Sequence, residues 1–124
     1  MGGSIHIIEE VLIVKGFVVH HGDAAVQDLG GGTTRRVLAH GPELMAVEVG
    51  FETGSEGAVH THPHVQCSYV LSGRFLYSVE GEAVELAPGD SIVVPSGLPH
   101  GTRCLEAGTL LDIFTPERED FLKK

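Results

Sequence analysis

The feature that most limits what this chain can fold into is the frequency with which glycine and proline interrupt it. The chain contains 17 glycines and 6 prolines, and the apolar runs between them are short and rich in β-branched residues. The periodicity of an amphipathic helix is almost absent. Short β-branched runs separated by turn-forming residues are typical of an all-β protein. We therefore predict a sandwich or a barrel of short strands.

Nine or ten strands are expected, with one helix at the end of the chain. The strands are predicted at residues 11–20, 34–39, 43–52, 65–71, 75–79, 83–86, 91–94, 101–105 and 109–115. Residues 23–33 are predicted to form a loop, and the Glu-Gly-Glu sequence at 80–82 is predicted to turn a hairpin. Residues 116–124 are the one helix candidate, because proline stands at the opening turn and acids follow early. A sheet of this size tends to close or to pair its edges, so we expect a homodimer.

Size and charge set the class of protein. The chain has 124 residues, so residues 1–124 are expected to form a single domain. The net charge of −9 repels polyanions, so neither nucleic acid nor an anionic membrane is an expected partner. No apolar run approaches the roughly 20 residues that span a bilayer, and the start of the chain lacks a secretory signal pattern. The two cysteines form no Cys-x-x-Cys pair, which fits a reducing cytoplasm.

A cluster of histidines is the most informative part of the sequence. His60 and His62 are two apart, so on a strand they would share a face about 7 Å apart and could converge on one ion. A straight strand from His60 to Gln66 would span about 20 Å, which no single ion can bridge. If this segment supplies a third ligand, the chain must bend, and Pro63 is the expected place. Spacing alone leaves open whether His64 or Gln66 then turns back.

The remaining histidines and the cysteines are interpreted as structural. His100 is the exception, because it follows a Pro-x-Gly turn and is a further ligand candidate. The other histidines are expected to be surface groups or local hydrogen-bond partners: His6, His20, His21 and His40. Cys67 and Cys104 are expected to be small buried apolar residues rather than nucleophiles or ligands.

The segments around these histidines resemble the two sequence motifs of the cupins. The first motif, at residues 54–73, matches without a gap at Gly54, His60, His62 and Gly73, with Gln66 where the family usually has glutamate. The second motif, at residues 89–104, matches at Gly89, Pro95, Gly97 and His100, with Cys104 in place of asparagine. The resemblance implies a double-stranded β-helix, or jelly-roll barrel. It also implies one metal held inside by His60, His62, Gln66 and His100.

The glutamine in the ligand set changes the expected charge of the site. An amide oxygen can ligate a metal but brings no negative charge, so a divalent ion would keep its full charge. Such a site is expected to be a stronger Lewis acid and a better anion binder than one with a carboxylate ligand. Imidazole and amide ligands admit nickel, iron, manganese, zinc, cobalt or copper, so the identity of the metal is open.

The end of the chain resembles the small cupins of the KdgF group, which act in pectin degradation. The resemblance implies a His, His, Gln, His ligand set and an activity that opens the ring of 4,5-unsaturated uronates. It carries the group's catalytic aspartate, phenylalanine and arginine onto Asp112, Phe114 and Arg118. The strand pattern agrees, because Asp112 and Phe114 fall on one face, and a carboxylate that points into an apolar barrel needs a reason.

The resulting hypothesis is a metal-dependent enzyme acting on a small carboxylated sugar from pectin or alginate. Asp112 would move the proton, Arg118 could hold the carboxylate, and Phe114 would shape the pocket and exclude water. One alternative is an iron- or manganese-dependent dioxygenase, for which three histidines would suffice. Another is a barrel that binds a small molecule without turnover. Whether Asp112 lines the metal pocket separates the hypothesis from this second alternative.

Overall fold

A computed structural model describes residues 15–123 of the chain, and within them it contains eight strands. A 3-10 turn at His21–Asp23 precedes the strands, and a four-residue helix, α1 (Glu119–Leu122), follows them. The strands are β1 (Val26–Gly30), β2 (Thr33–Gly41), β3 (Leu44–Phe51), β4 (Glu56–His60), β5 (Val65–Val79), β6 (Glu82–Leu86), β7 (Ser91–Val94) and β8 (His100–Thr115). The all-β prediction is confirmed.

The two long strands, β5 and β8, form the axis of the fold. They pair with each other in antiparallel register from Val65↔Thr115 to Val79↔His100. On its other side, β5 pairs first with β7 and then with β6, while β8 pairs first with β4 and then with β3. The sheet continues from β3 to β2 and β1. Each long strand therefore runs through both halves of the barrel. One half contains β1, β2, β3 and β7, and the other contains β4 and β6.

The core fills the space between these halves. The larger cluster contains Phe51, Val70, Phe75, Tyr77, Leu86, Val94, Cys104 and Leu110. A smaller one, formed by Met45, Val47 and Phe114, packs against Phe121 of α1. Burying each large side chain contributes roughly 1.5–3 kcal/mol. The second cluster matters for function because it supports the end of β8.

The Glu-Gly-Glu hairpin is confirmed. Val79 pairs with Glu82 across the turn, and the two central residues both have positive φ, 51° for Glu80 and 81° for Gly81. Positive φ at both positions is the geometry of a type I′ turn, whose twist matches that of the flanking strands. The loop therefore fixes the register of β5 against β6.

Several predicted boundaries were wrong. Of the strand predicted at 11–20, residues 11–14 lie outside the described part, and residues 15–20 are not in a strand. The loop predicted at 23–33 contains β1, an exposed strand without alternating burial, whose one partner strand among residues 15–123 is β2. Sequence periodicity cannot detect such an edge strand, because its partner rather than its own pattern stabilises it.

The pairs of strands predicted on either side of Gly73 and of residues 106–108 are continuous strands, β5 and β8. The register shifts between Val70 and Phe75 instead of ending, so these glycine-containing segments form bulges. Residues 56–60 form a strand that was not predicted separately. The C-terminal helix is confined to Glu119–Leu122, and Lys124 lies outside the described residues. No helix between residues 15 and 123 is long and apolar enough to cross a membrane.

Candidate metal centre

Three histidines meet at one end of the barrel. His60 ends β4, His100 begins β8, and the two are direct cross-strand partners with ring centroids 4.5 Å apart. His62 lies in the segment between β4 and β5, where the chain bends at Pro63, as expected. One ring nitrogen from each of these three histidines lies within 4.8 Å of the others. Convergence of three imidazoles at this distance is the arrangement that a metal ion requires.

Backbone carbonyl groups fix which nitrogen of each ring faces the centre. The Nδ1 atoms of His60, His62 and His100 lie 2.7, 3.1 and 2.9 Å from the carbonyl oxygens of Ala58, His64 and Leu98. A carbonyl oxygen only accepts hydrogen bonds, so each Nδ1 carries the hydrogen and each neutral ring keeps a lone pair on Nε2. Burial lowers the pKa of His62 and of His100, which favours the neutral form of both rings.

Gln66 completes the group with an oxygen atom. Its Oε1 lies 3.0 Å from Nε2 of His62 and 3.2 Å from Nε2 of His100. With these tautomers, all three atoms present lone pairs to one another, which is unfavourable unless a cation lies between them. Imidazole nitrogens and an amide oxygen are ligands that divalent transition metals accept. The residues present therefore fit a metal.

His64 does not join this group. Its Nε2 lies 3.2 Å from the carbonyl oxygen of Glu117, and its Nδ1 is buried without a hydrogen-bond partner among residues 15–123. Of the two residues that spacing left open, the structure places Gln66 beside the other histidines.

The amide of Gln66 is oriented by a chain of hydrogen bonds. Its Nε2 donates to Ser68 Oγ and to the Tyr77 hydroxyl, each at 3.1 Å. Ser68 Oγ lies 3.0 Å from the Tyr77 hydroxyl and donates to Asp112 Oδ1 at 2.6 Å. Because an ionised carboxylate only accepts, the donors run from Gln66 toward Asp112 and leave Oε1 free to face the histidines.

Asp112 is a buried carboxylate in this network. Asp112 pairs with Ser68 across β8 and β5, and the residue is 8% exposed. Burial raises the pKa of Asp112 to about 6, although the hydrogen bond from Ser68 and the charge of Arg118 act in the opposite direction. Burial also raises the pKa of the Tyr77 hydroxyl, so the tyrosine remains a neutral hydrogen-bond donor.

Phe114 and Arg118 lie next to the centre. The Phe114 ring is 5.8 Å from the His62 ring, centroid to centroid. The guanidinium carbon of Arg118 is 5.1 Å from the Phe114 centroid. Arg118 Nε and Nη2 donate to the two carboxylate oxygens of Asp120 at 3.0 and 2.9 Å. The Nε and Nη2 edge of Arg118 is thus occupied by its own neighbour.

One cavity of about 250 Å³ connects these groups. Its polar lining includes His60, Gln66, His100, Asp112 and Arg118, and Phe114 contributes an aromatic wall. A small concave site with a few convergent polar groups is the usual form of a small-molecule site. The structure thus brings all the predicted site residues into one region.

Four residues of this region were missed at the sequence level. Ser68 and Tyr77 are on β5, and Arg35 and Phe121 line the cavity from β2 and α1. The alternation of side chains along a strand could have indicated two of them. Ser68 shares a strand face with Gln66, and Arg35 shares one with Val37. Phe121 could not be found in this way, because its place depends on the packing of α1 against β8.

The residues interpreted as structural occupy varied places. Cys104 is buried in the larger core cluster, with its Sγ 3.1 Å from the carbonyl oxygen of Glu106, and burial raises the pKa of its thiol. Cys67 is only half-buried, contrary to prediction. His21 and His40 contact Glu48 and Glu117 at 2.7 and 2.8 Å as local partners. His20 is exposed, and His6 lies outside the described residues.

The family model described as "Cupin domain" matches residues 47–114. These residues are more than half of the chain and contain all four ligand candidates, so this chain belongs to the cupin family. It is similar to the pectin degradation protein KdgF of Dickeya dadantii (strain 3937), with 39% identity over 98 residues that cover 77% of this chain and 89% of that protein. The resemblance to the KdgF group is confirmed.

Solved structures agree with this relationship. KdgF from Halomonas sp. superimposes with a TM-score of 0.79 at 40% identity, covering 87% of this chain and 99% of that one. An RmlC-like cupin from Shewanella frigidimarina NCIMB 400 gives a TM-score of 0.81 at 43% identity, covering 84% and 94%.

Proposed function

We propose that this protein opens the ring of 4,5-unsaturated uronates, converting them to linear keto acids during the breakdown of pectin or alginate. The observation that carries the proposal is the buried carboxylate of Asp112, which lines the same cavity as His60, His100 and Gln66. Similarity to a protein named for pectin degradation supports the substrate class. A buried carboxylate with a raised pKa beside the candidate metal centre favours an enzyme over a non-catalytic binding barrel.

We infer that His60, His62, Gln66 and His100 hold one divalent transition metal, whose identity the ligand types leave open between nickel, iron, manganese, zinc, cobalt and copper. When bound, the metal supplies positive charge that stabilises negative charge developing on a substrate oxygen. The chain contributes the neutral rings, the amide oxygen and the hydrogen bonds that hold them in place.

Asp112 is proposed to move the proton. As a carboxylate, it takes the proton of the hemiacetal hydroxyl on C1, and an aldehyde forms there as the bond between C1 and the ring oxygen breaks. The electrons of that bond pass to the ring oxygen and leave an enolate across C4 and C5. Asp112 then returns the proton to C4, which gives a ketone at C5. No other reactant is consumed, and the carboxylate is regenerated.

Phe114 and Arg118 are proposed to shape the site. Phe114 packs against the His62 ring and limits the water that reaches the cavity. Arg118 places a positive charge at the wall of the cavity, where it favours a carboxylated sugar over a neutral one. We propose a small carboxylated sugar as the ligand, and the reducing cytoplasm, which suits two free cysteines, as the place where the protein acts.

The protein is further proposed to be a homodimer. Four large apolar side chains that alternate with buried residues on β5 and β7 are exposed on the outer face of the sheet. These residues are Val65, Tyr69, Leu71 and Val93. A second copy of the chain would remove this apolar surface from water.

The test of the ring-opening activity uses protein loaded in turn with nickel, iron, manganese or zinc. Unsaturated uronate produced by a polysaccharide lyase is added, and loss of its conjugated double-bond absorbance is followed against a reaction without protein. We expect metal-dependent loss and an open-chain keto acid in the NMR spectrum. No loss with any metal, in protein that binds metal, would contradict the proposal, and oxygen uptake would then favour the dioxygenase.

Asp112→Asn is expected to keep the bound metal and lose most turnover. Asparagine keeps an acceptor for Ser68 but cannot take up a proton, and losing a general base costs about 100-fold or more in rate. Metal content by mass spectrometry and the rate of absorbance loss give the two readouts. Asp23→Asn, on the exposed 3-10 turn, makes the same chemical change away from the cavity. Normal activity of Asp112→Asn would remove the role assigned to this residue.

A further inference from the structure

A second arginine, Arg35, lies in the cavity and belongs to a strand outside the two sequence motifs. Arg35 is on β2, in a cross-strand row with Val49 of β3 and Leu110 of β8. All three residues line the same cavity as His60, Gln66 and Asp112. Charged side chains on the inner face of a barrel are rare unless they have a partner. The charge of Arg35 in this apolar row therefore indicates that Arg35 has a partner in the cavity.

The hydrogen bonds of Arg35 leave most of its guanidinium unused. Its Nε donates to Gln27 Oε1 at 2.9 Å. Within residues 15–123, this is its only side-chain hydrogen bond, and no carboxylate lies within ion-pair distance of it. By contrast, Arg118 is paired with both oxygens of Asp120. The next residue on β2, Arg36, faces the outside and donates to the carbonyl oxygens of His21 and Ala24.

An aromatic ring holds the guanidinium of Arg35 in place. The guanidinium carbons of Arg35 and Arg118 lie 3.9 and 4.2 Å from the centroid of the Phe121 ring. Stacking of this kind fixes a guanidinium without using its N–H groups. Both Nη groups of Arg35 remain available to a planar anion, and a carboxylate is the group that matches their spacing.

We propose that Arg35 is the residue that binds the carboxylate of the sugar in this cavity and selects uronates over neutral sugars. Phe121 then positions Arg35, and Arg118 with Asp120 positions Phe121. The naming of the carboxylate as that of a uronate rests on the proposed function. The binding of a carboxylated sugar by Arg35 does not require turnover, so the two can be tested separately.

The experiment measures binding of D-galacturonate and of D-galactose by titration calorimetry. Neither sugar carries the double bond that ring opening requires, and the two differ in the carboxylate. The proteins are the unaltered chain, Arg35→Met, Arg35→Lys and Arg103→Met, all loaded with the same metal. Arg103 is exposed and does not line the cavity, so Arg103→Met removes the same charge elsewhere.

We expect the unaltered chain to bind galacturonate more tightly than galactose. Arg35→Met should weaken galacturonate binding at least tenfold and leave galactose binding unchanged, because hydrogen bonds to a charged group are lost. Arg35→Lys should fall in between, because lysine keeps the charge without the two parallel N–H groups. Arg103→Met should bind both sugars as the unaltered chain does.

The outcomes separate this proposal from the ring-opening activity. Galacturonate binding by Arg35→Met within twofold of the unaltered chain would overturn the role of Arg35, whether or not the protein opens uronates. Equal binding of the two sugars by the unaltered chain would overturn it too. Arg35-dependent galacturonate binding without turnover of unsaturated uronate would support Arg35 and contradict the activity. If Arg35→Met does not fold, sugar binding by Arg35→Lys tests the proposal instead. An unchanged preference of Arg35→Lys for galacturonate over galactose would count against the proposal.

Discussion

Gln66 shows how one residue can link a metal centre to a catalytic group. Its amide presents an oxygen to the histidines and an N–H group to Ser68 and Tyr77. Asp112 accepts at the far end of the same chain of hydrogen bonds. A glutamate at position 66 would have no hydrogen to donate to Ser68 or Tyr77 and would place a second carboxylate in this network. The glutamine therefore fits a network that already ends at the carboxylate of Asp112.

Gln66→Glu is expected to retain the metal and to bind carboxylates more weakly. The substitution adds a negative charge next to the ion and removes the donor to Ser68 and Tyr77. Galacturonate binding should fall about tenfold or more, while galactose binding stays the same. Titration calorimetry and metal analysis of the same samples measure both effects. Unchanged galacturonate affinity would refute this electrostatic argument.

The burial of Asp112 predicts that the free energy of unfolding depends on pH. Its pKa is raised to about 6 in the folded protein, against 3.8 in the unfolded chain, so the folded state binds the extra proton between these values. The contribution of Asp112 to stability therefore falls as pH rises from about 4 to about 6 and stays lower above that range.

Asp112→Asn should remove this dependence and stabilise the metal-free protein by about 3 kcal/mol at pH 8, with almost no gain at pH 4. Urea unfolding of chelator-treated samples at the two pH values measures the difference. An equal effect at both pH values would show that burial of charge is not the cause. Such a gain in stability with a loss of turnover is typical of a functional residue.

At the level of elements, the bulge at Gly73 decides how β5 and β8 cross between the two halves of the barrel. Gly73 has a φ of 82°, and a Cβ atom there would lie 2.8 Å from the carbonyl oxygen of Ala107 and in contact with that of Glu106. No other residue type fits without a shift of the backbone. Gly73, which the sequence pattern placed between two separate strands, therefore allows β5 to continue through this position.

Gly73→Ala is expected to destabilise the fold by about 3 kcal/mol, because left-handed strain and backbone overlap add together. Gly89→Ala is the matched control. Gly89 also has positive φ, 92°, but a Cβ atom there meets no other group within 4 Å, so strain alone should cost about 1 kcal/mol. Urea unfolding of both variants measures the difference. Equal losses would mean that the close approach of β8 contributes nothing.

The sequence allowed prediction of those parts of the site that depend on local spacing. His60, His62 and His100 follow from short motifs, and the hairpin at 80–82 follows from its turn residues. The choice of Gln66 over His64 needed the family motif, because it depends on how the chain bends after Pro63. Alternation along β2 was a usable signal for Arg35, whereas the place of Phe121 depends on how α1 packs against β8, and no local pattern contains that information.

At the scale of the whole molecule, the proposed dimer accounts for the exposed apolar side chains on the outer face of β5 and β7. Val93→Lys is expected to convert the proposed dimer to a monomer, because the charge would be buried without a partner. Val84→Lys is the control, since Val84 is 46% exposed on β6, which pairs with the other half of β5. Light scattering after size-exclusion chromatography gives the mass of each. A monomeric unaltered protein, or a dimeric Val93→Lys variant, would contradict the proposed interface.

The pairing of β5 with β8 joins parts of the chain that are distant in sequence, and the site is built on that pairing. Gln66 faces Phe114 and Ser68 faces Asp112 across it, so neither contact exists until a long loop has closed. Such closure is slow compared with the formation of a hairpin like β5–β6. We therefore expect the histidines to be accessible to a metal ion before the cavity exists during refolding, so that early metal can bind outside the native arrangement. Metal is best supplied after the barrel has closed.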